Sequence, residues 1–180
     1  MLQCFYPDKY IVSTYQINFD RLYEQGYRGI IFDIDNTLVE HGAPADERSI
    51  ALFRHLKELG FRIMLLSNNK EPRVKMFNDA VQVQYLFKAG KPGKAGYEQA
   101  MKKLGCNTEN TLFVGDQLFT DVWGARRCGI YSILVQPIAK HEEIQIVLKR
   151  YLEKIVLASY KRTCRKQGRI FLYKEDKDAD

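Results

Sequence analysis

The chain has 180 residues, 46% of them apolar, which is enough for one well-buried domain and too little for two ordinary ones. No stretch approaches the roughly 18 to 20 uninterrupted apolar residues of a membrane span, and residues 1–10 lack the basic and apolar regions of a secretion signal, so a cytoplasmic protein is expected. The net charge of +6 is uneven: residues 149–169 carry eight basic side chains against Glu153 alone, a local +7 that leaves −1 for the rest.

In chain order, short apolar runs alternate with amphipathic stretches, the pattern of a parallel sheet covered by helices. Residues 29–33 form the first run. In 47–59, Ile50, Leu52, Phe53, Leu56 and Leu59 recur near helical spacing and Gly60 supplies a stop. A strand at 62–66 leads to a helix at 73–80 behind Pro72, and a short strand at 85–87 leads to a helix at 97–104 ending at Gly105. A strand at 111–114, a helix at about 121–128 stopped by Gly129, and a strand at 132–135 complete the set. The expectation is an α/β, Rossmann-like core with a five-stranded parallel sheet, spanning 1–140 with an N-terminal extension. Residues 141–170 read as a basic C-terminal helix packed on or extending from the core, and 171–180 as a charged tail. Cys4, Cys106, Cys128 and Cys164 are far apart and have no neighbouring histidine, so they read as reduced thiols and not as zinc ligands.

The polar clusters fall just after strands, the edge at which open parallel sheets bind ligands. Asp33 and Asp35 are two residues apart where the first strand becomes a loop, close enough for both acids to address one site. Ser67-Asn68 follow the second strand, Lys91-Pro92 the third, and Gly115-Asp116 with Asp121 the fourth. Carboxylates converging without a cation repel by roughly 4 kcal/mol per close pair at an effective dielectric near 20. Oxygen-only ligands without His or Cys select a hard ion, and Mg²⁺ suits a site that also holds phosphate. Gly93-Lys94 fails as a phosphate loop, because Ala95 stands where Ser or Thr is required.

Taken together and in this order, DxDxT at 33–37, a strand-end Ser, a Lys, and GDxxxxD at 115–121 resemble the signatures of the haloacid dehalogenase (HAD) superfamily. The resemblance implies a phosphatase working through an aspartyl-phosphate: Asp33 as nucleophile and Asp35 as general acid and then base. It further implies Mg²⁺ held by Asp33, the Asp35 carbonyl and Asp116 with support from Asp121, and a phosphoryl group bound by Ser67, Asn68 and Lys91. Pro7-Asp8, Ser13, Leu22, Gly26, GDQLFTDVWGA at 115–125 and Ile133 to Ile138 resemble the YqeG-type branch, subfamily IIIA, which is related to phosphatidylglycerophosphate phosphatases.

Only 33 residues separate Asp33 from Ser67, and 23 separate Ser67 from Lys91, so no large cap domain is expected and the site should be open. That suits a phosphate displayed on a large partner such as a membrane lipid. Within 142–166, Ile144, Leu148, Tyr151, Leu152, Ile155 and Ser159 fall near one helical stripe beside many basic residues. This is read either as a peripheral membrane contact on anionic lipid or as a stripe packed on the sheet under a solvated basic face. Two alternative functions stand beside the lipid phosphatase: hydrolysis of soluble phosphorylated metabolites, and RNA or ribosome binding. Nucleic acid is disfavoured, because no RNA-binding signature or grouped aromatic platform is present.

Overall fold

The apolar runs form six strands in the computed structural model, which describes residues 2–139 and 144–174, with side chains described for 2–139 and 150–174. They are β1 (Lys9–Ile11), β2 (Gly29–Phe32), β3 (Arg62–Leu66), β4 (Gln84–Leu86), β5 (Thr111–Gly115) and β6 (Tyr131–Val135). All pair in parallel, in the order β1-β6-β5-β2-β3-β4. The helices are α1 (Phe19–Glu24), α2 (Glu47–Leu59), α3 (Glu71–Val81), α4 (Lys94–Leu104), α5 (Trp123–Arg127) and α6 (Ile144–Lys166).

Six strands replace the expected five. The extra one, β1, is three residues long and lies at the sheet edge, so it is too short for any alternation to be legible in sequence. Its outer side is covered by Tyr173, which exchanges backbone hydrogen bonds with Tyr10 and Val12. The expected tail at 171–180 therefore begins with an ordered edge contact, while 175–180 lie outside the described residues. Pro72 sits inside the first turn of α3 and not ahead of it, since a proline there loses no needed N–H. The helix expected at 121–128 is split into a π-helical turn, Leu118–Val122, and α5.

Alternation along β2 sends Ile30 and Phe32 to one face of the sheet and Ile31 to the other. The first face packs on α2 and α3 through Phe53, Leu56 and Phe77, and the second on α4 through Tyr97, Ala100 and Leu104. Burial on both faces explains the unbroken apolar run GIIF. One helix, α2, lies between β2 and β3, and one, α3, between β3 and β4, so no cap domain is inserted at either place.

The C-terminal helix turns Tyr151, Leu152 and Ile155 of the stripe read in sequence outward. Val156, Tyr160 and Cys164 pack on Tyr10, Leu118, Val122 and Leu134, with Glu153 buried on the same side. Tyr151, Leu152 and Ile155 are 62%, 52% and 62% exposed. The reading in which these three pack on the sheet is thereby corrected: a face spaced 153, 156, 160, 164 is the one that docks, and its acid and cysteine hid it from an apolar count. The side chains of Ile144 and Leu148 lie outside the described residues. Among the described residues no helix is long and apolar enough to cross a membrane.

Candidate active site

β2 is the central strand, flanked by β5 on one side and β3 on the other, so the order of connection reverses beside it. Phe32 is in register with Leu65 and Val114, and the chain past it stays in the ladder through the Asp33 N–H, which donates to Val114 O at 2.9 Å. On β3 the Ser67 N–H likewise donates to Leu86 O at 3.0 Å. These pairings bring the residues just beyond β2, β3 and β5 to one edge of the sheet.

At that edge carboxylate oxygens of Asp33, Asp116 and Asp121 lie within 4.8 Å of one another, all three residues buried. Lys91 Nζ is 2.6 Å from Asp33 Oδ1 and 2.7 Å from Asp121 Oδ1. Burial pushes the Asp33 carboxyl up to about 7, with Lys91 pulling it down and the charges of Asp121 and Asp35 adding to the rise. Burial also drives Asp116 upward, opposed by Arg150. Lys91 holds its proton more firmly than usual because the attraction of Asp121 and Asp33 outweighs its desolvation.

The turns around these groups are built to hold them. Asn68 Nδ2 donates to Lys91 O at 3.0 Å and its Oδ1 accepts from Lys91 N at 2.8 Å, clamping the lysine backbone. Asn68, expected to bind phosphate, sets both ends of its amide against the Lys91 backbone. Ser67 Oγ accepts from Asn69 N at 3.1 Å, which leaves its hydroxyl proton free to donate. Thr37 Oγ1 donates to Asp116 Oδ1 at 3.2 Å, tying the first polar loop to the fourth. Tyr97 OH donates to Thr120 O at 2.8 Å and braces the π-helical turn. Gly115 has no tolerable replacement, since a Cβ there would stand 2.6 Å from Asp121 Oδ2.

Asp35 is held by residues that sequence reading missed. Its Oδ1 accepts from Arg73 Nε at 3.1 Å, Arg73 Nη2 at 2.9 Å and Gly42 N at 2.8 Å, and its Oδ2 from Asn69 Nδ2 at 2.7 Å. Arg150 and Glu153 of α6 were missed as well. Arg150 Nη2 pairs with Asp116 Oδ2 and its Nη1 donates to Asp116 O at 2.7 Å, while Glu153 Oε1 accepts from Leu118 N at 2.7 Å. The signal available for them was small: Glu153 is the one acid in the basic segment.

Three buried carboxylates against the two cations Lys91 and Arg150 leave an excess negative charge, and the donor set contains oxygen alone. These residues fit a hard divalent cation. A strand-end carboxylate beside a buried lysine, with a serine hydroxyl one strand away, is equipped to attack a phosphoryl group and hold its oxygens.

Residues 88–145 match the family model described as HAD-hydrolase-like. The chain is 36% identical over 159 residues to "Probable phosphatase YqeG" of Bacillus subtilis, which covers 88% of this chain and 92% of that protein. It is 28% identical over 166 residues to the chloroplastic/mitochondrial phosphatidylglycerophosphate phosphatase 1 of Arabidopsis thaliana, matching 83% of this chain and 45% of that longer protein. Among solved structures, the cobalt-bound deoxy-D-mannose-octulosonate 8-phosphate phosphatase of Haemophilus influenzae superposes with a TM-score of 0.51 at 14% identity, covering 74% of this chain and 89% of that one. An uncharacterized protein of Listeria monocytogenes gives 0.52 at 17% identity, covering 65% and 84%.

Proposed function

The chain belongs to the HAD-like phosphatases, in their YqeG-type branch, and on that premise we propose that it hydrolyses phosphate monoesters with Mg²⁺ through a phosphorylated Asp33, acting on a lipid phosphate of the phosphatidylglycerophosphate kind. The observation that carries the chemistry is the contact of Lys91 Nζ with Asp33 Oδ1 at 2.6 Å, beside Asp116 and Asp121 at the end of the central strand.

In this reading Asp33 attacks phosphorus while Lys91 and Ser67 hold the phosphoryl oxygens. Asp35 protonates the departing oxygen; its contacts with Arg73, Asn69 and the Gly42 amide favour the carboxylate form and give way as it takes up that proton. The same carboxylate then takes a proton from the water that attacks the phosphoenzyme, releasing phosphate and restoring Asp33. Asp33, Asp116 and the Asp35 carbonyl would hold Mg²⁺, with Asp121 in support; the ion supplies charge neutralisation for the phosphoryl group.

The lipid is supported by the relatives named for that substrate, by the lack of an inserted cap, and by the outer face of α6. There the exposed Tyr151, Leu152 and Ile155 stand beside exposed Lys154, Lys161, Arg162, Arg165 and Lys166. An apolar patch framed by cations suits a peripheral contact with an anionic bilayer, each basic residue adding about 1 kcal/mol near the surface. Phosphate release measured with Mg²⁺ or EDTA across lipid, sugar and nucleotide phosphates tests the reading. Mg²⁺-dependent release from the lipid phosphate supports it; preference for a soluble phosphate at equal concentration rejects the lipid.

A further inference from the structure

Sequence reading left the C-terminal helix outside the chemistry, yet α6 places a guanidinium on one of the three clustered carboxylates. Asp116 is buried and both of its carboxylate oxygens are in use: Oδ1 accepts from Thr37 Oγ1 at 3.2 Å, and Oδ2 is paired with Arg150 Nη2. Each oxygen keeps a further lone pair, but a divalent ion placed on Oδ2 would meet the Arg150 guanidinium at the same atom, where like charges repel. The Thr37 contact joins two loops of the core, whereas Arg150 sits on a long, flexible stem.

Arg150 also has somewhere else to go. Glu153, three residues further along α6, already accepts from Arg150 Nη1 at 2.9 Å through Oε2, and is itself anchored by the Leu118 amide on Oε1. Released from Asp116, the guanidinium keeps a charged partner, so its desolvation is not left uncompensated. Charge favours the exchange. With Arg150 present, Asp33, Asp116, Asp121, Lys91 and Arg150 sum to −1; with a divalent cation in place of Arg150 the set sums to 0.

We infer that Arg150 is a metal-displaced positioning residue: it holds Asp116 in the metal-free enzyme and hands it over when the ion arrives, withdrawing onto Glu153. The inference rests on the reading of Asp116 as a metal ligand. It makes the C-terminal helix part of the metal site, with Arg150 and the ion as competitors for one oxygen.

The test is calorimetric titration of the full chain with MgCl₂, without substrate, together with melting curves of EDTA-treated protein, for wild type, Arg150→Met and Glu153→Gln. Arg150→Met keeps the apolar stem and removes the competitor, so Mg²⁺ should bind about tenfold tighter, a coupling of ordinary size. Its metal-free form should melt lower and gain more on metal addition than wild type. Glu153→Gln keeps an acceptor for the Leu118 amide but weakens the alternative partner, so Mg²⁺ should bind several-fold more weakly; this variant decides alone where Arg150→Met fails to fold. Shifts of opposite sign support the exchange. Equal affinities in all three, or weaker binding in Arg150→Met, overturn it while leaving the metal reading intact. Absence of Mg²⁺ binding to wild type overturns both.

Discussion

Asp33 and Lys91 are buried together, and the cost of that burial has a measurable sign. A carboxyl whose folded pKa is raised, here to about 7 from its usual 3.8, binds its proton more tightly in the folded chain. Its stabilising contribution is complete below the unfolded value and is lost as pH rises toward 7. EDTA-treated protein should therefore melt several degrees higher near pH 5 than near pH 7.5, and Asp33→Asn should lose part of that difference. Identical pH dependence in the two proteins would argue against a desolvated Asp33. Asp35→Asn should slow hydrolysis most for alkyl phosphates, whose departing oxygen is basic, and less for aryl phosphates. Equal losses across leaving groups would remove Asp35 from the role of acid. The convergence of Asp33, Lys91, Asp116 and Asp121 was legible because each lies beyond a strand at one sheet edge and their order is distinctive. Arg73, Arg150 and Glu153 were not, because an exposed-looking charge on a helix acquires its partner only through tertiary packing.

Among the elements, the strands at 29–33, 62–66 and 111–114 were readable from apolar runs buried on both faces, and α2 matches the helix read at 47–59. The three-residue β1 and the six-residue α1 were missed, since neither spans a full period of its pattern. In α6 the apolar count chose the outward face, because the docked face includes Glu153 and Cys164. That outward face gives a direct test of lipid contact. Reversing Lys161, Arg162, Arg165 and Lys166 to Glu, all exposed, should leave soluble aryl-phosphate hydrolysis nearly intact and weaken cosedimentation with anionic vesicles, each basic residue being worth about 1 kcal/mol. Exposed charges add little to folding, so the variant should melt within a few degrees of wild type. Unchanged cosedimentation at low salt would leave the basic face merely solvated.

At the scale of the molecule, a core close to neutrality carries a buried acidic cluster at the sheet edge, while the excess positive charge lies in the C-terminal segment. The oxygen-only donor set predicts the metal response. Mg²⁺ should restore activity after EDTA, and Ca²⁺ should inhibit, because the larger ion takes a higher coordination and would engage both oxygens of the nucleophile. Full activity with Ca²⁺ would contradict the site. The central claim, a phosphoryl group carried on Asp33, is tested most directly by trapping it. The protein is quenched in acid during turnover of radiolabelled substrate with Mg²⁺ and reduced with borohydride, and its peptides are mapped by mass. The account predicts protein-bound label before reduction and, after it, loss of that label with homoserine in place of Asp33, and in Asp33→Asn neither label nor turnover. Label at another residue, or turnover by pure Asp33→Asn, would contradict it.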